Sequence, residues 1–222
     1  MNISRSVLPA LLAAALLSSS CNTPKADGTA RRDAEGTGQP ATPATKVVNN
    51  TPATNSAGVE VVKVAKVEGQ VSPSSALVGQ MAPNFTWTSA DGKERSLKDY
   101  RGKVVMLNFW GTWCPPCRAE LPDIVRLRKE LQPKGFEVIG LGVNEEARAG
   151  GSSPEEHVAN FAKKNGLLYP LLLVDGNLIE AYGGLEGVPT TFIVNGKGEI
   201  VEMMVGMRDE ATFRRSIEKA MS

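Results

Sequence analysis

The sequence predicts an α/β domain in which helices cover both faces of a central mixed β-sheet, preceded by a disordered N-terminal tether. Alternating strand and helix signals run from residue 76 to the end of the 222-residue chain, and continuous apolar runs of strand length occur among them. The stretch before residue 76 is mostly of low complexity and lacks such a pattern. We therefore expect a tether over residues 21–75 and a folded domain over residues 76–222.

The first twenty residues have the pattern of a signal peptide. One positive charge, Arg5, precedes an apolar run over residues 7–17, and small residues follow the run. The run is well short of the ~20 apolar residues that a helix needs to span a bilayer. We predict a signal peptide over residues 1–20 and no permanent transmembrane anchor.

The residues after this run allow two kinds of processing. Ser18 and Ser20 suit ordinary signal cleavage, whereas Cys21 resembles the lipidated cysteine of a bacterial lipoprotein, although Ser18 replaces the usual leucine. We favour lipidation of Cys21, because acylation removes a thiol that is a liability outside the cytoplasm. This predicts a periplasmic or cell-envelope protein that is anchored to the membrane, with a soluble periplasmic or secreted protein as the alternative.

The tether is poor in residues that could form a core. Residues 22–58 consist mainly of Thr, Ala, Pro, Gly, Asn and charged residues without an aromatic side chain, so they cannot recover the entropy cost of folding. As a flexible coil, the segment from Cys21 to residue 75 would reach roughly 40 Å. Residues 59–71 alternate partly between valine and polar residues, which is compatible with an extra edge strand.

Two apolar runs and a helical pattern open the folded domain. The runs cover residues 103–110 and 136–143 and are typical of buried strands. The helix between them has one apolar side, formed by Leu121, Ile124, Leu127 and Leu131. Pro122 falls inside this helix and should kink it, because proline removes a backbone donor.

A second group of elements completes the domain. A helix should begin after Ser153, with Pro154 at its first position and Glu156 completing a capping box. Later strands are predicted over residues 169–174, 190–195 and 198–206, and a closing amphipathic helix over residues 209–221. This order favours a mixed sheet with helices on both faces.

Composition excludes some classes of protein. The formal net charge is +1, and no stripe of basic and aromatic residues occurs, so nothing favours nucleic acid as a partner. Three cysteines are too few for a disulfide-dense secreted scaffold. The fold must therefore depend on its hydrophobic core, and Cys114 and Cys117 are expected to serve chemistry.

A metal site at this cysteine pair is not favoured. Zinc needs about four nitrogen or sulfur ligands, and the other candidates are Cys21 and the single histidine, His157, on a predicted surface helix. Covalent haem attachment needs a histidine where Arg118 stands. Cu(I) binding is the best non-enzymatic alternative, since thiolates hold this soft ion and methionines are near in sequence, namely Met203, Met204 and Met207.

A redox pair explains the position of the two cysteines better than a structural disulfide does. Cross-linking so short a loop removes little entropy from the unfolded state. Cys114 follows a buried strand and starts a helix, where backbone N–H groups and the helix dipole stabilise a thiolate. We therefore predict Cys114 as the attacking thiol and Cys117, one turn further on, as the resolving thiol.

The surrounding motifs resemble a known superfamily. "WCPPC" at residues 113–117, Pro122 and "GVPTTFIV" at residues 187–194 are similar to thioredoxins, and residues 79–122 are similar to the TlpA/ResA-like membrane-anchored thiol-disulfide reductases. The similarity runs from about Leu77 to the C-terminus. It implies a thioredoxin fold and a thiol-disulfide oxidoreductase that needs no bound cofactor.

The resemblance also implies a substrate groove and a proton-transfer group. Pro189 would be cis, the Val188 backbone would offer hydrogen bonds to an extended substrate segment, and Pro116 would belong to the same groove. Trp113, which adjoins Cys114, is expected either in the apolar rim of this groove or packed on the fold. Thioredoxin's buried aspartate is replaced by Asn108. The carboxylate of the TlpA/ResA-like proteins matches Glu120, for which we expect partial burial, a raised pKa and a role in proton transfer. The alternative is a glutamate on the solvated side of the helix.

The resemblance implies protein disulfides as substrates and an upstream membrane thiol donor. Disulfide reduction is the favoured direction, and C-x-x-C-H segments of apocytochromes c are one implied substrate. We expect a monomer with no nucleic-acid partner. A redoxin-type peroxidase is the enzymatic alternative, but peroxiredoxins carry threonine and proline where this chain has Gly111 and Leu107.

Overall fold

The computed structural model describes residues 59–69, 73–146 and 149–222. The predicted signal peptide, Cys21 and the tether as far as residue 58 lie outside the described residues. Within the described ranges, no helix is long and apolar enough to cross a bilayer.

The secondary structure alternates between strands and helices for most of the chain. The strands are β1 (Val61–Glu68), β2 (Asn84–Thr88), β3 (Glu94–Ser96), β4 (Val104–Trp110), β5 (Phe136–Val143), β6 (Leu171–Val174), β7 (Thr190–Val194) and β8 (Ile200–Val205). The helices are α1 (Pro115–Leu131), α2 (Pro154–Asn165), α3 (Gly176–Ala181) and α4 (Glu210–Met221). Short 3₁₀ helices cover Ser74–Ala76, Leu97–Tyr100 and Gln132–Lys134.

The described strands form one mixed sheet in the order β3-β2-β1-β6-β5-β4-β7-β8. β1, β6, β5 and β4 are parallel neighbours, and antiparallel strands flank them on each side. Every residue of β4 and of β5 is buried, as their continuous apolar runs predict. The predicted α/β class with a mixed sheet is confirmed.

β1 is an inner strand of this sheet. It pairs in parallel with β6, where Val61 lies opposite Leu171, and antiparallel with β2, where Val67 lies opposite Phe85. The expected edge strand is therefore corrected to an inner one, and the sheet includes residues before the predicted boundary at residue 76. The physical reason is that β6 would otherwise leave a row of backbone donors and acceptors unpaired beside the core.

The helices lie on both faces of the sheet, as predicted. Side chains of β4 alternate between two hydrophobic clusters, because successive residues of a strand point to opposite faces. The first cluster joins β4 to α1, α2 and α4, and the second joins it to α3 and to the strands β2 and β7. α3 was not predicted, since a helix of six residues is too short to show a helical period; Asp175 caps its first turn.

Candidate active site

Cys114 and Cys117 lie where β4 passes into α1, and they form a disulfide. Cys114 is the N-cap of α1, and its sulfur accepts a hydrogen bond from the backbone N–H of Cys117 at 3.2 Å. Pro115 and Pro116 occupy the first two positions of the helix, where the missing N–H groups of proline are tolerated. The Cys117 amide is therefore the first donor of the helix that can reach the Cys114 sulfur.

Both cysteines are more buried than a freely accessible thiol would be. In the disulfide, Cys114 is 2% and Cys117 is 0% exposed. The two prolines between them are exposed. The exposed surface at the helix start is therefore formed by the two prolines, and Cys117 is covered by the core.

The segment that faces Cys114 contains the proline singled out in the sequence. The Val188–Pro189 peptide bond is cis, which is the geometry that the resemblance implied. The Cys114 sulfur lies 3.6 Å from the Val188 carbonyl oxygen. The Pro189 carbonyl accepts a hydrogen bond from the Gly206 N–H at 2.8 Å, so within this segment it is the Val188 carbonyl that faces the Cys114 sulfur.

An apolar cavity of about 210 Å³ adjoins this contact. Its lining is formed by Trp113, Val143, Asn144, Ile179, Leu185, Gly187 and Val188. The Trp113 indole N–H donates to the Val143 carbonyl at 3.0 Å, which fixes the ring against the end of β5. The cavity therefore has a rigid aromatic wall next to the redox pair.

Glu120 is buried beneath the first turns of α1, with 1% of its surface exposed. One carboxylate oxygen accepts from the Asn108 amide at 2.9 Å, and the other accepts from the Arg208 backbone N–H at 3.3 Å. Burial raises the pKa of Glu120 to about 7, although these hydrogen bonds and the charge of Arg208 act in the opposite direction. The carboxyl group can thus gain or lose a proton near neutral pH.

Asn108 links Glu120 to the sheet. Its amide nitrogen also donates to the Thr191 hydroxyl at 3.0 Å, so the side chain bridges β4, β7 and α1. Its carbonyl oxygen has no hydrogen-bond partner in the part of the chain that the structure describes. Asn108 therefore holds the carboxylate in place without itself being able to take up a proton.

A second carboxylate, Glu145, lies on the other side of the redox pair and was not predicted from the sequence. It is 0% exposed and accepts from the Thr112 backbone N–H at 2.6 Å and from the Thr112 hydroxyl at 2.7 Å. The same hydroxyl lies 3.0 Å from His157 Nε2, so this histidine is not simply a surface residue of α2. One signal could have found Glu145: β4 and β5 are parallel neighbours, and residues just after parallel strands meet at one edge of the sheet.

The methionines considered for Cu(I) binding differ in their surroundings. Met204 is buried, Met203 packs against the second hydrophobic cluster, and Met207 is 51% exposed. Among the described residues, no group of three or more His, Cys, Asp or Glu side chains is arranged to hold a metal ion.

Relatives of known activity match most of the folded domain. Residues 78–203 match the model of the AhpC/TSA family. The thiol-disulfide oxidoreductase ResA of Bacillus anthracis is 36% identical over 142 residues, which are 64% of this chain and 78% of the relative. ResA of Halalkalibacterium halodurans is 37% identical over 146 residues, which are 65% of this chain and 78% of the relative.

Solved structures give the same result. A thiol:disulfide interchange protein of the thioredoxin family from Chlorobium tepidum TLS has a TM-score of 0.56 at 35% identity, over 64% of this chain and 96% of that one. A putative DsbE from Chlorobium tepidum has a TM-score of 0.51 at 27% identity, over 65% and 98% of the two chains. The predicted resemblance is confirmed: the chain belongs to the AhpC/TSA family and, within the thioredoxin superfamily, to the ResA-like thiol-disulfide oxidoreductases.

Proposed function

We propose that this protein is an extracytoplasmic, membrane-tethered enzyme that reduces disulfides in other proteins. The Cys114 thiolate attacks one sulfur of the substrate disulfide, and the other substrate sulfur leaves as a thiolate that takes up a proton. Cys117 then attacks Cys114 in the mixed disulfide and releases the second substrate thiol. The substrate gains two electrons and two protons, and an upstream dithiol restores the enzyme.

The observation that carries this proposal is the position of the Cys114 sulfur. It lies at the N-cap of α1, 3.6 Å from the Val188 carbonyl and next to the exposed Pro116. An extended substrate segment alongside Val188 and Pro189 would place its disulfide at this sulfur, with an apolar side chain in the cavity beside Trp113. Cys117, which is fully buried, is placed to attack only after the mixed disulfide has formed.

Glu120 is proposed to move the proton of Cys117. It lies three residues further along the same helix, where side chains are neighbours about 5–6 Å apart at Cβ. With a pKa of about 7, it can accept the thiol proton as Cys117 becomes the nucleophile and return it in the reductive half of the cycle. Asn108 and the Arg208 backbone keep the carboxylate oriented during both steps.

Reduction is the proposed direction because the helix start offers few donors to the thiolate. Pro115 and Pro116 have no backbone N–H, which leaves the Cys117 N–H as the donor to the Cys114 sulfur. A pair with a strongly stabilised thiolate is a strong oxidant. Fewer donors stabilise the reduced form less, so the potential is expected to be low and the dithiol to be a good reductant.

The proposed location rests on the N-terminal sequence. A signal peptide and lipidation of Cys21 would place the domain outside the cytoplasm on a tether of roughly 40 Å reach. This arrangement suits a membrane thiol donor and membrane-bound substrates, and cysteine pairs of apocytochromes c are one substrate class that it would serve.

The test combines a reduction potential with trapping of the mixed disulfide. The domain is equilibrated with glutathione and dithiothreitol buffers, and we expect a potential near −270 mV, the value of a reductant; a value toward −120 mV would make the protein a disulfide donor. A C117S variant should accumulate a mixed disulfide with a disulfide-bonded protein, whereas C114S should form none. Trapping by C114S instead would reverse the assigned roles.

The AhpC/TSA match favours one second candidate, a peroxidase. Gly111 and Leu107 stand where peroxiredoxins place their threonine and proline, so the residues that activate a peroxide in those enzymes are missing. We expect hydrogen peroxide to be turned over at least about 100-fold more slowly than a protein disulfide, measured with the same dithiol donor. Comparable rates would favour the peroxidase.

A further inference from the structure

The disulfide cycle described above makes no use of Glu145, although this residue is buried directly behind the segment that leads into Cys114. Glu145 follows β5, and the preceding residue, Asn144, has a positive φ of 56°. A positive φ is uncommon for residues other than glycine. The residues on either side of Asn144 both bind the segment before Cys114: the Val143 carbonyl binds Trp113, and the Glu145 carboxylate binds Thr112.

Thr112 supplies a hydrogen-bond donor to each oxygen of the Glu145 carboxylate. The Thr112 backbone N–H can only donate, so the oxygen 2.6 Å away accepts. The Thr112 hydroxyl donates to the second oxygen at 2.7 Å and can in turn accept from His157 Nε2–H at 3.0 Å. Both oxygens of the buried carboxylate thus accept a hydrogen bond from Thr112.

The Glu145 carboxylate binds a residue that lies just before the reactive cysteine in the chain. Cys114 is two residues beyond Thr112, and two residues span at most about 7 Å. The Cys114 N–H is turned back onto the Gly111 carbonyl at 3.1 Å, which keeps the segment compact. A buried charge is weakly screened, and a like charge disfavours an ionised neighbour.

We propose that Glu145 is a positioning residue that holds the segment before Cys114 through Thr112 and whose buried charge destabilises the Cys114 thiolate. This strengthens the pair as a reductant, because the dithiol form becomes less stable relative to the disulfide. The inference rests on the proposed function in one respect, namely that Cys114 carries the thiolate. His157 is the titratable group that faces Glu145 from α2, with Nε2 3.9 Å from the carboxylate; Glu146, the next residue in the chain, is exposed.

The test measures the equilibrium between the Cys114–Cys117 pair and glutathione at one fixed pH of about 8. In this reaction the disulfide form of the pair and two molecules of reduced glutathione convert to the dithiol form of the pair and glutathione disulfide. E145Q removes the charge and keeps an acceptor for the Thr112 N–H. We expect its equilibrium constant to move about tenfold toward the dithiol, which corresponds to about 30 mV. E146Q removes the same charge from the exposed neighbour and should stay within about twofold of the unaltered protein.

A merely structural role predicts a different result. If Glu145 only held the segment, E145Q would move the equilibrium no further than E146Q does, and that outcome would overturn the proposal. Should E145Q not fold, T112V provides the second measurement, because it keeps the charge and removes one donor from it. We expect T112V to move the equilibrium toward the disulfide; no movement, or movement toward the dithiol, would contradict the proposal.

Failure of this inference can be told apart from failure of the proposed function. The equilibrium constant does not depend on which sulfur attacks a substrate, whereas the trapping of mixed disulfides by C117S and C114S does. If trapping reverses the roles but E145Q still shifts the equilibrium, Glu145 acts on the pair and the assignment of the nucleophile is wrong.

Discussion

The redox pair has a buried glutamate on each side, and the two are held differently. Glu120, on the Cys117 side, is bound by a side-chain amide at 2.9 Å and by a backbone N–H at 3.3 Å, and burial raises its pKa to about 7. Glu145, on the Cys114 side, has two shorter bonds, from the backbone N–H and the hydroxyl of Thr112. The two carboxylates thus share residue type and burial, and they differ in the donors that hold them.

The largest expected effect concerns Glu120, on the Cys117 side of the pair. E120Q should slow disulfide turnover by about 100-fold at pH 8, because a positioned base contributes at least that much to proton transfer. In the unaltered protein the rate should rise with pH through about 7, and this rise should be absent in E120Q. E130Q, which removes an exposed carboxylate at the far end of α1, is the control. An E120Q profile that keeps the rise near pH 7 would contradict the role of Glu120.

The second effect concerns stability on the same side. The pKa of Glu120 rises from 4.5 to about 7 on folding, so the ionised carboxylate destabilises the folded state. The penalty is absent below pH 4.5, grows as the pH rises to about 7 and is constant above it.

At about 1.4 kcal/mol per pH unit the full penalty is about 3 kcal/mol, and E120Q should remove it. The glutamine side chain has one acceptor oxygen and cannot accept from both Asn108 and Arg208. The lost hydrogen bond reduces the gain in unfolding free energy by about 1 kcal/mol. We therefore expect E120Q to be about 2 kcal/mol more stable than the unaltered protein at pH 8 in denaturant unfolding. This advantage should disappear below pH 4.5; an advantage that is independent of pH would show that desolvation of the charge is not its cause.

A smaller effect is expected at Asn108. N108A removes a donor from the Glu120 carboxylate, so the pKa of Glu120 should rise further, by about one pH unit for a hydrogen bond to a charged group. The pH–rate profile should move to higher pH by the same amount. T191V is the matched control, because it takes away the other partner of Asn108 and leaves the bond to Glu120 in place. Equal movement of both profiles would mean that packing, and not the hydrogen bond, sets this pKa.

The smallest effect is expected on the Cys114 side. T112V should cost about 1 kcal/mol of unfolding free energy, because the buried Glu145 oxygen loses a donor while the Thr112 N–H bond remains. T112S keeps the hydroxyl and should cost clearly less. If T112S is destabilised as much as T112V in the same unfolding assay, methyl packing contributes as much as the hydroxyl, which would contradict the expected ranking.

Much of the fold could be predicted because its central elements carry strong local patterns. β4 and β5 are uninterrupted apolar runs, and α2 begins at the capping residue Ser153 that the sequence indicates. α3 has only six residues and no periodicity to read. The place of β1 between β2 and β6 could not be predicted, because its partial alternation fits an edge strand equally well and only pairing with strands distant in sequence decides the choice.

The residues of the candidate site also fall into two groups, those that a local pattern predicts and those that only the fold brings together. The sequence alone determined the redox pair, its place at a helix start and the glutamate one turn beyond Cys117, because all three lie within seven consecutive residues whose geometry is set by one strand end and one helix. Only the tertiary structure decided which carboxylates are buried and which donors they meet. Asn108 reaches Glu120 across the strand–helix layer, and Thr112 meets Glu145 and His157 from positions 33 and 45 residues away. Contacts of this range depend on strand order and helix packing, which no local pattern encodes.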